Sequence, residues 1–521
     1  MAVTLAVVLL PLLGAGLTAV LAPRWRGAAT VATLGLTLAV AVGLVRRVLT
    51  DGASVHRLGG SGQSVGLLTA DGLGSAMVLL SIVVTLLTAV FAILQSGELA
   101  TPRPHYWPLS LTLLAGLHGL FLAGDLLTAY LMLEVVAVAG AAMVAWGGGR
   151  RLLAAGTRYF YAELVASITF LAGAGLVWTA TGTTVLVELP ERLTDEPTTL
   201  LGLALMTVGL LLKVPVVPLH FWLPAAHALA PSAVSPLLSG LVVKSAFVVL
   251  LRLCGGAAAE VATPILAQLL GGLGAAAIIW GGLVALRSHR VKQVVAYSTI
   301  AQLGLLLVAV PMVLAGAPDA WKGGVFHAIA HALPKAGVLL AVALLAASLG
   351  GDTVDRLEGA ATRRPLAAFA LGLAAISLIG LPPTGGFVAK WYLVVASITT
   401  GQWWWAAVIV IGSLLTAAYL ARLLQRCFSS GGTGHHLDEA ADRATDTSAE
   451  RTPDVAAGHH LDVAEVAEVA EVDEVADAPV RRGVDLVALA LATSALLLGL
   501  YPSWLLGLLE VGAPLAVMPH G

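Results

Sequence analysis

Two cysteines, Cys254 and Cys427, are all that 521 residues contain. That is too few for a disulfide framework and lacks the paired spacing of a metal or iron–sulfur site. Charge is sparse as well. Asp, Glu, Lys and Arg together make up 11% of the chain, against roughly 25% in an ordinary soluble domain. A net charge of -2 offers no basic surface for nucleic acid. No flavin, nucleotide or cysteine-cluster motif is present, so any redox chemistry would belong to partner chains, and no cofactor or metal is expected here.

What the chain has is apolar sequence, 58% hydrophobic residues. A hydrocarbon core of about 30 Å needs about 20 such residues per helix. Stretches of that length recur at Ala2–Leu21, Thr30–Val48, Leu73–Leu94 (after a glycine-rich loop), Tyr106–Ala123, Leu126–Trp146, Tyr159–Trp178 and Leu200–Leu219. They continue at Val234–Leu251, Pro264–Leu286, Val294–Leu314, Val325–Leu349, Leu366–Val395 (interrupted), Trp404–Leu424 and Val484–Leu508. The period-2 pattern of a barrel is absent, so the spans are helices. The expected fold is an all-α polytopic membrane protein of about 14 transmembrane helices, bathed in the lipid bilayer. The first span has no basic residue before its apolar run and no small-residue cleavage site, which reads as a retained helix and not a signal peptide.

Fourteen Lys and Arg residues fall on one side of this arrangement and six on the other. The positive-inside rule then places both termini outside the cytoplasm. Residues 429–482 form a polar, acidic tract in which Glu465, Glu468, Glu471 and Glu474 recur every third residue. A period of three winds around a helix and marks no face, so the tract reads as a disordered cytoplasmic linker.

Only six lysines occur, and Lys213, Lys244, Lys335 and Lys390 lie inside predicted spans. Lys213 and Lys244 stand about 14 Å or more along their helices, too deep to snorkel easily. Ionisable groups at that depth mark ion or proton pathways. Burial and a neighbouring carboxylate act oppositely on a lysine, so moving the partner can toggle its proton. Glu134, nine residues past Asp125 in DLLTAYLMLEVVAVAG, is the expected partner of Lys213. Glu163 in YFYAELVAS is also intramembrane, but Arg158 lies five residues before it, so local satisfaction makes it the second choice. His327, His331 and Lys335 recur at i, i+4 and i+8 and share one helix face. A zincin-type metal site is excluded by the missing glutamate, which leaves a proton-relay stripe or satisfied core histidines.

Two spans are broken at membrane depth. Pro215 and Pro218 follow Lys213, and Gly380, Pro382, Pro383, Gly385 and Gly386 precede Lys390. Such backbone survives in a membrane only where protein or a hydrated cavity satisfies it. Five spans separate the breaks, so the corresponding elements run in opposite directions, as in transporters built from inverted repeats.

These pieces resemble one family, the proton-conducting membrane subunits shared by Mrp-type Na+/H+ antiporters, respiratory complex I and membrane-bound hydrogenases. The matching motifs are Asp125 with Glu134, K-x-P-x-x-P-L-H-F-W-L-P-x-x-H-x-x-A-P-S (Lys213–Ser232), the Lys244 span, VKQVVAYSTIAQLG (Val291–Gly304), HAIAHALPKAG and GLPPTGGFVAKW. The resemblance implies 14 helices with two inverted five-helix repeats, each containing a broken helix. Residues 1–95 would hold three leading helices, 106–251 and 264–426 the repeats, and 484–508 the last helix. It also implies that Glu134 and Lys213 form the essential pair, that Lys244 bridges the halves, that His331 and Lys335 relay the proton and that Lys390 is the exit. Gln302 stands where some relatives carry histidine. The antiporter's D-type chain is the expected match, in a bacterial-type cell membrane, with other membrane subunits, protons and Na+ as partners. The alternative is a proton-pumping subunit of an NADH:quinone oxidoreductase or hydrogenase, and a purely structural scaffold is disfavoured by the full Glu134 and lysine set. Deleting Gly431–Asp477 is expected to leave transport within about twofold, because a flexible insertion changes closure free energy only logarithmically. Loss of inserted protein or of a co-purifying chain would show that the tract docks a partner.

Overall fold

The computed structural model describes residues 1–58, 66–95, 105–146, 149–257, 261, 263–429 and 483–513. The acidic tract therefore lies outside the described residues, apart from Ser429. Eleven described helices are long and apolar enough to cross a membrane. The first part of the chain runs α1 (Ala2–Val20), α2 (Pro23–Asp51), strands β1 (Ser54–Leu58) and β2 (Gly66–Ala70), α3 (Gly72–Leu94), α4 (Tyr106–Phe121), α5 (Leu126–Ala145) and α6 (Arg150–Thr181). There follow α7 (Leu189–Arg192), α8 (Pro197–Lys213), α9 (Leu223–Leu229) and α10 (Ser235–Leu237), then a π-helical turn at Leu238–Val242 that leads into α11 (Val243–Arg252). The remainder is α12 (Pro264–Arg287), α13 (Val291–Leu314), α14 (Pro318–Leu349), α15 (Ala360–Arg363), α16 (Pro365–Ile379), α17 (Gly385–Thr399), α18 (Trp404–Phe428), α19 (Gly483–Leu500) and α20 (Ser503–Glu510).

The starts of α2, α6 and α14 lie seven to nine residues earlier than the expected spans, and three further differences change the architecture. The segment before α3, expected as a glycine-rich loop, holds an antiparallel hairpin pairing Ser54 with Ala70 and Leu58 with Gly66. The span expected to reach Leu219 ends at Lys213, because Pro215 and Pro218 cannot donate to the helical ladder. The final span stops at Leu500 before Pro502, and a separate short helix follows.

Two aspartates cap and anchor this frame. Asp71 Oδ1 accepts from Gly74 N at 2.7 Å at the start of α3, and its carboxylate takes Arg252 Nη1 and Nη2 at 2.6 and 2.9 Å. Arg252 Nη2 also donates to the Phe121 carbonyl at 3.0 Å, so one guanidinium ties together the ends of α3, α4 and α11. Asp125 accepts from Thr128 N at 2.8 Å and from Leu67 N at 2.7 Å, joining the N-terminus of α5 to the hairpin. Capping of this kind is worth about 1 kcal/mol per helix.

Burial separates core helices from peripheral ones. The apolar windows of Ser235–Gly256 and α13 are both 94% buried, whereas those of α1 and α2 are 33% and 28% buried and leave most of their apolar surface for lipid. Small residues bring the inner helices close, as in membrane proteins generally. A Cβ at Gly209 would lie 2.6 Å from the Ala166 carbonyl oxygen, and one at Gly274 would lie 2.6 Å from the Gly304 carbonyl oxygen. Lys244 and Lys335 belong to well-buried helices and are themselves buried, so these polar residues sit inside the protein and not on its lipid face.

Candidate functional site

Lys213 is the last residue of α8, and its ammonium donates to Glu163 Oε2 at 2.6 Å and to the Glu163 carbonyl oxygen at 3.3 Å. The two side chains are 3% and 5% exposed, which makes this a buried ion pair. This corrects the pairing expected from sequence, in which Glu134 is the partner. Gly209 explains the difference. It lets α6 close on α8 with the Ala166 backbone against it, and Glu163, one turn from Ala166, then meets Lys213, one turn from Gly209. Glu134 on α5 is near enough to Glu163 for their charges to interact, but its Oε1 is buried without a hydrogen-bond partner among the described residues. The C-terminal end of α8 carries negative dipole charge, which adds to the stabilisation of the ammonium.

Lys244 is fully buried, and its Nζ donates to the Ser239 carbonyl at 2.8 Å. Ser239 lies within the π-helical turn, whose widened ring is the kind of irregularity that recurs at functional positions. The Ser239 hydroxyl is 2.9 Å from that of Thr299 on α13, and Thr299 donates to the Val295 carbonyl at 3.0 Å. That same carbonyl accepts from Lys335 Nζ at 2.6 Å. Lys335 also donates to the Ser298 hydroxyl. Two polar segments therefore lie between Lys244 and Lys335: the Ser239 carbonyl holds Lys244, and the Ser239 hydroxyl leads through Thr299 to the Val295 carbonyl that Lys335 shares. Lysine spacing alone does not point to these hydroxyls.

His327 and His331 are buried and stack with ring centroids 5.9 Å apart. Both nitrogens of His327 and Nε2 of His331 complete no hydrogen bond of normal geometry among the described residues, although His327 lies against the Gln302 backbone. His118 offers a contrast, since its nitrogens meet the Val7 carbonyl at 2.6 Å and Ser81 Oγ at 3.1 Å and so behave as a satisfied core histidine. His227 on α9 belongs to the Lys213–Ser232 motif, but its seven-residue spacing from His220 crosses the broken segment before α9 and so marks no common helix face. It is buried with Nε2 unpartnered among the described residues, close enough to Lys244 and Lys335 to feel both charges.

At the second break Lys390 reaches back from α17 to the end of α16. Its Nζ donates to the carbonyls of Ile379 and Leu378 at 2.7 and 3.2 Å and to Ser413 Oγ on α18 at 3.0 Å. Gly380 terminates α16 at φ +87°, a left-handed conformation that other residues adopt at a cost. A Cβ there would also come within 2.8 Å of Lys390 Cδ. Each break thus seats an ammonium at the negative end of a half-helix, but of the two only Lys213 has a carboxylate partner among the described residues. Gln302 Nε2 donates to Thr416 Oγ1 at 3.1 Å, and its Oε1 is unpartnered among the described residues. Among the described residues no group of His, Cys, Asp and Glu forms a metal-binding cluster.

The family model described as NADH:quinone oxidoreductase/Mrp antiporter, TM, matches residues 123–416, the stretch that contains every lysine and histidine proposed for the path. The N-type chain of an NADH-quinone oxidoreductase from Desulforudis audaxviator is 33% identical over 338 residues, 64% of this chain and 66% of that protein. The D-type chain of a Na(+)/H(+) antiporter from Bacillus subtilis is 28% identical over 392 residues, 74% of this chain and 78% of that protein. Among solved structures, a chain of the Mrp complex from Dietzia sp. DQ12-45-1b superposes with a TM-score of 0.82 at 26% identity, covering all of this chain and 98% of that one. An α-helical membrane fold, a buried line of lysines and hydroxyls, and a family match across more than half its length make this chain a member of the NADH:quinone oxidoreductase/Mrp antiporter transmembrane family.

Proposed function

We propose that the chain is a proton-translocating membrane subunit of an NADH:quinone oxidoreductase-type assembly. One observation carries the proposal. Buried proton-exchanging groups run from the Glu163–Lys213 pair, through Lys244 and Lys335, to Lys390, linked in part by hydroxyls and carbonyls. Lys244, Lys335 and Lys390 have no ion pair among the described residues. In a low-dielectric interior their like charges repel strongly, so a proton arriving at one favours departure from the next. Proton movement past the first pair is then coupled to the state of the Lys213 ammonium. Glu134 and the His327–His331 stack supply further exchange sites beside this line. The two repeats, residues 106–251 and 264–426, would each hold a half-channel ending at its broken helix, with both termini outside the cytoplasm.

The likeness to the N-type chain favours the oxidoreductase-type assembly over the antiporter assembly expected from sequence. The full-length likeness to a chain of an Mrp complex supports the second reading, a Na+/H+ antiporter component. In either assembly the partners are other membrane subunits. Purifying the tagged full chain from its native membranes and identifying what accompanies it separates the readings. Quinone-site or iron–sulfur subunits support the first, and small antiporter subunits support the second. A chain that purifies alone and carries full proton flux by itself would overturn both.

Glu134→Gln is expected to lower proton flux at least about tenfold at unchanged assembly. The amide keeps the carboxylate's shape yet cannot exchange the proton that biases Glu163 and Lys213. Full flux from inverted vesicles carrying this variant would remove Glu134 from the path.

A further inference from the structure

Polar residues of α18 lie between Lys335 and Lys390. Three polar residues of that helix, Ser413, Thr416 and Tyr419, recur at i, i+3 and i+6, so they share one face. Each meets a different part of the site. Ser413 Oγ accepts from Lys390 Nζ at 3.0 Å. Thr416 Oγ1 accepts from Gln302 Nε2 at 3.1 Å. The Tyr419 hydroxyl is buried and completes no hydrogen bond of normal geometry, yet it faces Thr416, Gln302 and Ser298, and Ser298 is the hydroxyl that holds Lys335.

We propose that α18 supplies a hydroxyl ladder, Tyr419–Thr416–Ser413, that carries protons between Lys335 and Lys390. A hydroxyl both donates and accepts. Ser298, Thr416 and Ser413 rest with their protons on the Val295, Gly412 and Ile409 carbonyls, so each first rotates off its own backbone and then takes a proton on a lone pair as it releases its own, and no oxygen keeps a charge. The Lys335 ammonium loses a proton to Ser298, Ser298 passes its own to Tyr419, and the relay runs through Thr416 and Ser413 to the neutral Lys390 amine. Lys335 ends as an amine and Lys390 as an ammonium, which balances the step. Thr416 and Ser413 stand one turn apart, with Cβ atoms about 5–6 Å from each other, a gap that one bridging water spans. Tyr419 Oη and Gln302 Oε1 are buried and unpartnered among the described residues, so both positions need a hydrogen-bonding neighbour, since buried polar groups are almost always satisfied. Gln302 cannot itself titrate. Its amide donates to Thr416 and so positions that rung. Ile409, Leu420 and Leu423, the aliphatic residues of the same buried face of α18, carry no proton-exchanging group.

The inference rests on the proton-translocation reading above, and the variants are chosen so that the two can fail separately. Proton flux is measured in inverted vesicles containing the full assembly, at matched content of the chain. Thr416→Val and Tyr419→Phe each remove one oxygen at nearly constant shape, and together they are expected to cut flux at least about tenfold. Thr416→Ser restores the hydroxyl while losing a methyl group, and is expected to stay within about twofold of the parent. That rescue separates proton carriage from packing. Should Thr416→Val reduce the amount of assembled complex, Tyr419→Phe alone is read, with an expected loss of about threefold or more. Parental flux in the double variant, while Lys335→Met and Lys390→Met both block it, overturns the ladder and leaves the translocation reading standing. Thr416→Ser failing as badly as Thr416→Val at normal assembly also overturns the ladder. Parental flux in Lys335→Met and Lys390→Met overturns the translocation reading itself, and the ladder with it.

Discussion

Lys213→Met is expected to reduce proton flux to below about a tenth of the parental rate, the largest effect of any single change at the first broken helix. Removing one member of a buried ion pair leaves the other uncompensated, a cost of about 3–5 kcal/mol if the charge stays. Glu163 escapes that cost by taking up a proton and keeping it. The variant therefore assembles, but the carboxyl it leaves has no reason to cycle. Lys213→Arg is expected to fail as well, because a guanidinium keeps its proton while still satisfying Glu163. Its assembly should match the parent more closely than that of Lys213→Met. A double-mutant cycle between Lys213→Met and Glu163→Gln measures the pairing directly, and the 2.6 Å contact predicts a strong non-additive term. The same cycle with Glu134→Gln is expected to show a smaller one. Equal flux in Lys213→Met and the parent, or stronger coupling of Lys213 to Glu134 than to Glu163, would overturn the assignment.

Lys390 carries the second large effect. Lys390→Met removes the donor from the Leu378 and Ile379 carbonyls and from Ser413, so it is expected both to block flux and to loosen the end of α16. Lys390→Arg separates those roles. A guanidinium can still cap the carbonyls and complement the helix dipole, but it does not release a proton to the next site. Assembly and thermal stability are expected to stay near parental values while flux falls at least about tenfold. A Lys390→Arg assembly as active as the parent would mean that charge, and not proton exchange, is what the second break requires.

Much of this protein is legible from its residues alone. Lipid allows few spanning structures, so apolar stretches of about 20 residues read directly as helices, and the eleven long apolar helices fall at expected spans. The cost of burying a lysine makes Lys213, Lys244, Lys335 and Lys390 conspicuous in any apolar run, and all four prove to be buried. Paired prolines likewise announce the breaks at Lys213 and before Lys390, since residues without an N–H weaken the ladder, whereas the single prolines Pro11, Pro311 and Pro334 sit inside continuous helices. The hairpin is harder to read. Ser-Val-His-Arg-Leu does not alternate apolar with polar residues, since His56 and Arg57 are adjacent, and the glycines beside it favour a loop.

Partnership was decided only by the tertiary structure. Glu134 and Glu163 are both acids at membrane depth, and nothing in linear spacing says which faces Lys213. The choice falls to Glu163 because Gly209 lets α6 approach α8 closely, an interhelical distance that no residue count encodes. The same holds for the hydroxyls. Ser239, Thr299, Ser298, Ser413, Thr416 and Tyr419 are ordinary residues within their own helices, where serine and threonine commonly bond back to their own backbone. They become a line only because α11, α13, α14, α17 and α18 pack around a common centre and bring side chains as far apart in sequence as Gln302 and Thr416 within 3.1 Å. Single-helix chemistry determines which residues are costly to bury, whereas packing between helices determines which of them can exchange a proton.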